Sequence, residues 1–228
     1  MTTSSFELIN PDPHWVRKWW QWILQIPASK NPAYGYKGSY LEVPSPQNQP
    51  YDKEDVWFLA GAFNDGSLPH TCNIAHRTVT DIPPNKALLM PVLNFFAVTR
   101  DSPNKKHRQQ RQQELEELEK KVKEEMDVIN PESLYVTVDG QEIPNLAQYR
   151  ADTDTVFPIT VNGKDNVVKM KHVLGRPIKL WAKGDGYWLF VKPLPPGEHD
   201  IHSFGSCLQG KIQIEIHYKL NIIVSVDK

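Results

Sequence analysis

Histidine and cysteine are the side chains of this sequence with the widest choice of chemistry, and they fall in two groups. His199 and His202 stand three residues apart at the end of one expected strand, and His217 lies on the next. A hairpin closing across Ser203 to Lys211 places His202 near Gln213 and His199 near Ile216. A two-histidine metal site on a strand needs its histidines two apart, pointing to one face; three apart, they point to opposite faces. Unless a bulge re-aims one of them they cannot hold the same ion. The expectation is one histidine bonded to the turn backbone and the other in solvent.

The second group is His70, Cys72 and His76, with Arg77 beside it. Its H-x-C-x3-H spacing offers three ligands from a loop, whereas structural zinc sites take four, and no fourth is near in sequence. Asp152 and Asp154 in ADTDTVF could hold calcium together with carbonyls, but they lack the glycine and distal glutamate of an EF-hand loop. GxSxG, P-loop, GxGxxG, HExxH and CxxC patterns are absent. No metal and no cofactor is therefore assigned. Cys72 and Cys207 either pair or stay thiols, and two cysteines cannot make a disulfide scaffold.

The elements that must position these groups are expected to be mainly strands. From Ile212 to Val226 every even position is apolar (Ile212, Ile214, Ile216, Tyr218, Leu220, Ile222, Val224, Val226), while the odd positions are polar except Ile223. Period two argues for one face in a core and one in water. At about 3.3 Å per residue this segment outruns an ordinary strand, so a bend or bulge is expected within a central or sheet-crossing strand. Val56 to Phe63 reads as a strand buried on both faces. Further strands are expected at Arg77–Ile82, Ala87–Phe96, Ser133–Val138, Gln141–Ile143, Phe157–Val161, Val167–Val173, Pro177–Trp181, Tyr187–Val191 and His199–His202. Turns are marked by Asn64-Asp65-Gly66, Pro83 to Lys86, Asp139-Gly140, Asn162-Gly163 and Pro193 to Gly197.

Two segments read as helices. Residues 12–26 begin with Asp12 as N-cap and Pro13 at the first helical position and stop before Pro27. Four tryptophans sit in this segment. They pack it into the side of the sheet domain, or line a partner, membrane-surface or ligand-binding face. Within residues 103–129 the run from Lys105 to Ile129 lacks glycine, proline and aromatics, and the thin stripe of Leu115, Leu118, Val122, Met126 and Ile129 describes a charged helix inserted on the surface or pairing with a partner helix. The fold class is thus an antiparallel β-sandwich, jelly-roll or immunoglobulin-like, in one domain spanning 1–228.

With 26 basic and 27 acidic residues the formal net charge is −1, which disfavours nucleic acid bound through phosphate neutralisation. No run of 18 apolar residues predicts a transmembrane segment, and MTTSSFELINPDPHW lacks a basic region followed by an apolar one. The chain is expected to be soluble and cytoplasmic, and secreted only if a signal peptide has been removed. The partners that remain are a protein or second copy of the chain, or a small-molecule or glycan ligand.

The Trp15/Trp19/Trp22 helix, Val56-Trp57-Phe58-Leu59-Ala60-Gly61, and GYWLFVKPLPPGEHDIH from Gly186 to His202, followed by Tyr218-Lys219-Leu220, together resemble a family of uncharacterised bacterial β-sandwich proteins. IPPNKALLMPVLN from Ile82 to Asn94 and Val138-Asp139-Gly140 with Leu146 and Tyr149-Arg150 fit the same pattern. The resemblance implies a sandwich and no catalytic residue. The candidate binding set is Trp57, Asn94, Tyr149 and Arg150 from these blocks, Arg77 beside the His70 group, and His199, His202 and His217. Seven tryptophans and eight tyrosines without a catalytic signature point to a non-catalytic binding or assembly protein presenting an aromatic surface. The alternative is a histidine-based or metal-dependent enzyme on a sandwich scaffold.

Overall fold

A computed structural model describes residues 6–33, 40–42, 55–63, 71–100, 108–207 and 212–224. Helix α1 spans Pro13–Gln25. Asp12 Oδ1 accepts from the His14 amide at 2.7 Å, satisfying one of the donors that a helix start leaves over. Ile26 takes an extended backbone before Pro27, whose ring clashes with a helical predecessor, and so ends the helix. The strands are β1 (Tyr40–Glu42), β2 (Val56–Phe58), β3 (Thr71–Ile82), β4 (Ala87–Arg100), β5 (Tyr135–Val138), β6 (Gln141–Glu142), β7 (Arg150–Asp152), β8 (Phe157–Val161), β9 (Ile178–Val191), β10 (Gly197–Cys207) and β11 (Ile212–Ile222). Helix α2 (Arg108–Asp127) joins β4 to β5.

Among the described residues these strands form two mixed sheets. The outer sheet runs β1-β3-β11-β10-β5-β6, and the inner sheet runs β2-β4-β9-β7 with β8 also on β9. Alternation along β2 and β9 sorts the inner sheet's two faces. Trp57, Leu59, Leu189 and Val191 join Val79, Val136, Ile201, Ile216, Tyr218 and Leu220 in a core shared with the outer sheet. Val56, Phe58, Trp188 and Phe190 pack on the other side against Trp19, Trp20, Trp22, Ile23 and Leu24 of α1. The tryptophan helix is therefore a covering layer of the inner sheet. Its aromatic contacts with the sheet are edge-to-face or tilted, among them Trp19 on Trp188 at 5.2 Å and Trp20 on Phe96 at 5.0 Å.

Strand β11 lies between β3 and β10, the central position expected for it, with Ile214, Ile216, Tyr218, Leu220 and Ile222 buried. A register shift against β3 interrupts it between Leu220 and Ile222, and it ends at Ile222 rather than Val226, leaving Val224 exposed. The expectation of purely antiparallel pairing is corrected: β1–β3, β3–β11 and β2–β4 are parallel. Hydrophobic alternation carries no strand direction, and these pairs are joined by long connections that leave direction free.

The expected strand at Val167–Val173 is absent. Asn166 Nδ2 donates to the carbonyls of Asn162 and Met170 and its Oδ1 accepts from the Met170 amide, which folds the segment on itself; Lys169 adopts φ 57 and Val173 stands in solvent. The strands expected separately at Pro177–Trp181 and Tyr187–Val191 are one strand, β9, continuing through Gly184 and Gly186. The charged helix lies on the body with Leu118, Val122 and Met126 buried, and it is described from Arg108; residues 103–107 of the expected span lie outside the described residues. No helix among the described residues is long and apolar enough to cross a membrane.

Two glycines of β9 make room for their neighbours. A Cβ at Gly184 would sit 2.2 Å from Trp20 Nε1, and one at Gly186 would sit 2.3 Å from Asn94 Cβ. Trp20 is fully buried and cannot swing away. Gly184→Ala is expected to cost about 1–3 kcal/mol in denaturant melts, since overpacking displaces α1 from the sheet. On β11, Ile216→Ala should cost about 2–5 kcal/mol and Lys219→Ala about 0.5 kcal/mol or less. Equal losses at these two positions would contradict the assignment of faces.

Candidate functional site

The outward face of the outer sheet carries a row of three histidines. In the parallel ladder His76 of β3 is opposite His217 of β11, and in the antiparallel ladder His202 of β10 is opposite the same His217. Strands stand about 4.8 Å apart, so side chains in one row meet face to face. The His202 and His217 rings stack with centroids 4.0 Å apart and planes 13° from parallel, and His76 stacks on His217 at 4.7 Å. Tyr135, next to this row on β5, meets His202 edge-on at 5.5 Å.

Glu215 lies two residues before His217 and points to the same face. Its Oε1 accepts from His202 Nε2 and His217 Nε2, each at 2.9 Å. Burial pushes the Glu215 carboxyl up, but the hydrogen bonds from His217 and His202 and the charge of these rings hold it below the usual carboxylate range. Two imidazoles and one carboxylate thus converge, with their ligating atoms within 4.8 Å of one another.

The register of the β10–β11 hairpin differs from the sequence expectation by four residues. His202 faces His217 rather than Gln213, and His199 faces Leu220 rather than Ile216. The strands continue to Cys207 and restart at Ile212, so the connection is shorter and later than the Ser203–Lys211 span expected. Gln209-Gly210 was the available signal, since glycine marks tight hairpin turns. Glu215, by contrast, left no signal of its own: a glutamate on a solvent-facing odd position reads as an ordinary charge.

The other expected site residues are dispersed. His199, on the buried face opposite His202, bonds Asp139 Oδ2 through Nδ1 at 2.7 Å and the Pro195 carbonyl through Nε2 at 2.9 Å, tying two turns together. Trp57 is core. Arg77 is buried, and its Nη1 donates to the Ala60 carbonyl at 2.7 Å and to Tyr218 Oη at 3.0 Å. Asn94 occupies the space opposite Gly186, and Tyr149 packs half-buried against the shared core. His70 lies outside the described residues, as does the Cys72 side chain; Cys207 is a free thiol whose pKa burial and then Glu125 push up. Asp152 and Asp154 do not form an open calcium loop, because Asp152 Oδ1 accepts from the Asp154 amide and its Oδ2 from Lys183.

Arg150 belongs to a second constellation. The odd-numbered face of β9 faces the shared core at Leu189 and Val191, but farther back it carries Lys183 and Asp185, where α2 packs in place of the outer sheet. Arg150 Nε lies 3.2 Å from both Asp185 carboxylate oxygens and its Nη2 lies 2.7 Å from Oδ2; the same Nη2 reaches Asp127 of α2 at 2.8 Å. The hydrogen bond to Asp185 outweighs burial and raises the guanidinium pKa further above its ordinary value. Lys183, buried, donates to Asp152 Oδ2 and the Asp154 carbonyl at 2.9 Å. A groove of about 700 Å³ opens over these charges and is rimmed by Glu116, Glu119, Lys120 and Lys123 of α2.

No family model matches the chain, and no curated protein matches it. A solved structure of PbICP-C in complex with falcipain-2 aligns over 72% of this chain and 98% of its own, at 7% identity and a TM-score of 0.26. That similarity is too low to bear on fold or function.

The hydrogen bonds to Glu215 have a pH signature. A carboxyl whose folded pKa lies below its unfolded value of about 4.3 contributes stability that is present above that value and lost as the pH falls through the folded one. Glu215→Gln should therefore lower the denaturant midpoint near neutrality, with the deficit shrinking as the pH is taken below about 4. An undiminished deficit in acid would show that the carboxylate charge is not what the histidines hold.

Proposed function

We propose that this is a non-catalytic binding protein whose ligand occupies the groove between α2 and the β7–β9 edge of the inner sheet, on a sandwich-type scaffold. The observation that carries the reading is the pair of desolvated, hydrogen-bonded charges at its floor, Lys183 and Asp185, aligned by Arg150 and Asp152. Fixed polar groups at the bottom of a concave site give orientation and specificity, and here they come in both signs. Such a floor suits a small polar ligand with its own donors and acceptors, a glycan or a zwitterionic molecule, better than a polyanion. Because Trp19, Trp20, Trp22, Trp57 and Trp188 are buried, the binding face proposed here is polar rather than aromatic.

A histidine-based or metal-dependent enzyme is the second reading, favoured by the convergence of His202, Glu215 and His217 on the outer sheet. The two readings use different residues and separate cleanly.

The binding reading is tested by thermal melts against neutral oligosaccharides and zwitterionic dipeptides. A ligand at ten times its Kd adds about 1.4 kcal/mol. For a chain of this size that is a rise of roughly 3–6 °C. The rise should vanish in a Glu119→Ala/Lys120→Ala variant, whose changes lie on the rim and spare the buried ion pairs. Absence of any shift across the panel, or a shift that survives the rim variant, overturns the assignment of the groove.

A further inference from the structure

We propose that His202, Glu215 and His217 form a binding site for a divalent transition-metal cation of the zinc class on the outward face of the outer sheet. The site shares no residue with the groove and does not depend on it.

Three features of the geometry carry this. First, the donor set is two imidazole nitrogens and one carboxylate oxygen, which zinc and its first-row neighbours accept and magnesium or calcium, which prefer all-oxygen shells, do not. Second, the donors lie on adjacent positions of a sheet: His217 and Glu215 are two apart on β11, and His202 is directly across on β10. Backbone ladders on both sides of β11 hold these Cα positions, so the site needs no loop to order on binding. Third, the nitrogen-to-oxygen separations are already 2.9 Å. Ligands at about 2.0–2.2 Å from a tetrahedral ion stand about 3.3–3.6 Å from one another, so each nitrogen-to-oxygen separation is already close to what an ion needs and what must change is the tilt of the rings.

The present arrangement shows what that tilt must do. Both Nε2 atoms point at one Oε1, and the two rings are nearly parallel. A cation entering between the three atoms takes the place of the two hydrogen bonds and tilts the rings so that their Nε2 lone pairs converge. The Nε2 protons move to Nδ1 or are released. His76, stacked on the far side of His217, and Tyr135, edge-on to His202, confine the outward swing of both rings. Three protein ligands leave a fourth position for water or a ligand atom, the arrangement of an open rather than a structural zinc site.

The experiment is calorimetric titration of the full chain, freed of metal by chelator, with zinc chloride and with nickel chloride. It is repeated on His202→Ala, His217→Ala and Glu215→Gln, with His172→Ala as the control away from the site. One equivalent of metal should bind to the wild type and to the control. Affinity should fall about tenfold or more in each of the three site variants, as loss of one of three ligands requires. These side chains are partly exposed on the sheet surface, so the variants are expected to remain folded. Should one not fold, nickel added below stoichiometry to the wild type provides an independent reading by NMR. The ring signals of His202 and His217 should broaden ahead of those of His14 and His172. The proposal is overturned if no binding is seen up to about 100 µM free zinc, a Kd too weak for a built site. It is equally overturned if the site variants bind like the wild type, or if broadening falls first on His14 or His172.

Discussion

Two consecutive carbonyls just past β2 tie every layer of the protein together. Leu59 O accepts from Trp19 Nε1 of α1 at 2.9 Å, and Ala60 O accepts from Tyr218 Oη of β11 at 2.8 Å and from Arg77 Nη1 of β3 at 2.7 Å. The helix, the inner sheet and two strands of the outer sheet therefore meet at one short stretch of backbone. All these groups are buried, and a buried donor or acceptor left without its partner costs about 1–3 kcal/mol, so the layers cannot slide relative to one another without breaking several bonds together. Burial pushes the Tyr218 phenol up, keeping it the neutral donor that Ala60 needs.

That knot also decides which faces are left for chemistry. With α1 on one side of the inner sheet and the outer sheet on the other, the buried charges among the described residues of the inner sheet lie where β9 extends to α2. Lys183, Asp185 and Arg150 collect there. The outer sheet has one face in the shared core, so its alternate residues point outward. Parallel pairing of β3 with β11 and antiparallel pairing of β11 with β10 then set His76, His217 and His202 in one row. Both constellations sit on strand backbone held by ladders, so their geometry is as rigid as the fold.

The local features were legible where a short-range rule governs them. Asp12-Pro13 and Pro27 bracket α1, the period-two run from Ile214 to Ile222 marks the buried side of β11, and Asp139-Gly140, both at positive φ, closes the β5–β6 hairpin. The stripe of Leu118, Val122 and Met126 showed which edge of α2 lies on the body. Local alternation also misled. Val167–Val173 has a strand-like pattern, yet Asn166 closes it into a loop, because a side-chain amide competes with the ladder for the same backbone groups.

Among the candidate residues, the sequence by itself determined that His199 and His202 face opposite ways, since that follows from pleat alone, and the structure has the first bonded to a turn carbonyl and the second outward. It could not determine what His202 faces. A hairpin register depends on where the turn closes, and a shift of four residues keeps every side chain on its face while changing every partner. Nor could it show that β3 pairs with β11, because contacts across long separations leave no periodic trace. Arg77 illustrates the point. In sequence it is a cation beside a cysteine and two histidines; in the fold it is a buried donor to Ala60 and Tyr218, while His76, one residue earlier, points to the opposite face and joins the histidine row. Pleat is a property of one strand and is written in residue order, whereas a site made from three strands exists only once tertiary pairing has chosen their neighbours, directions and register.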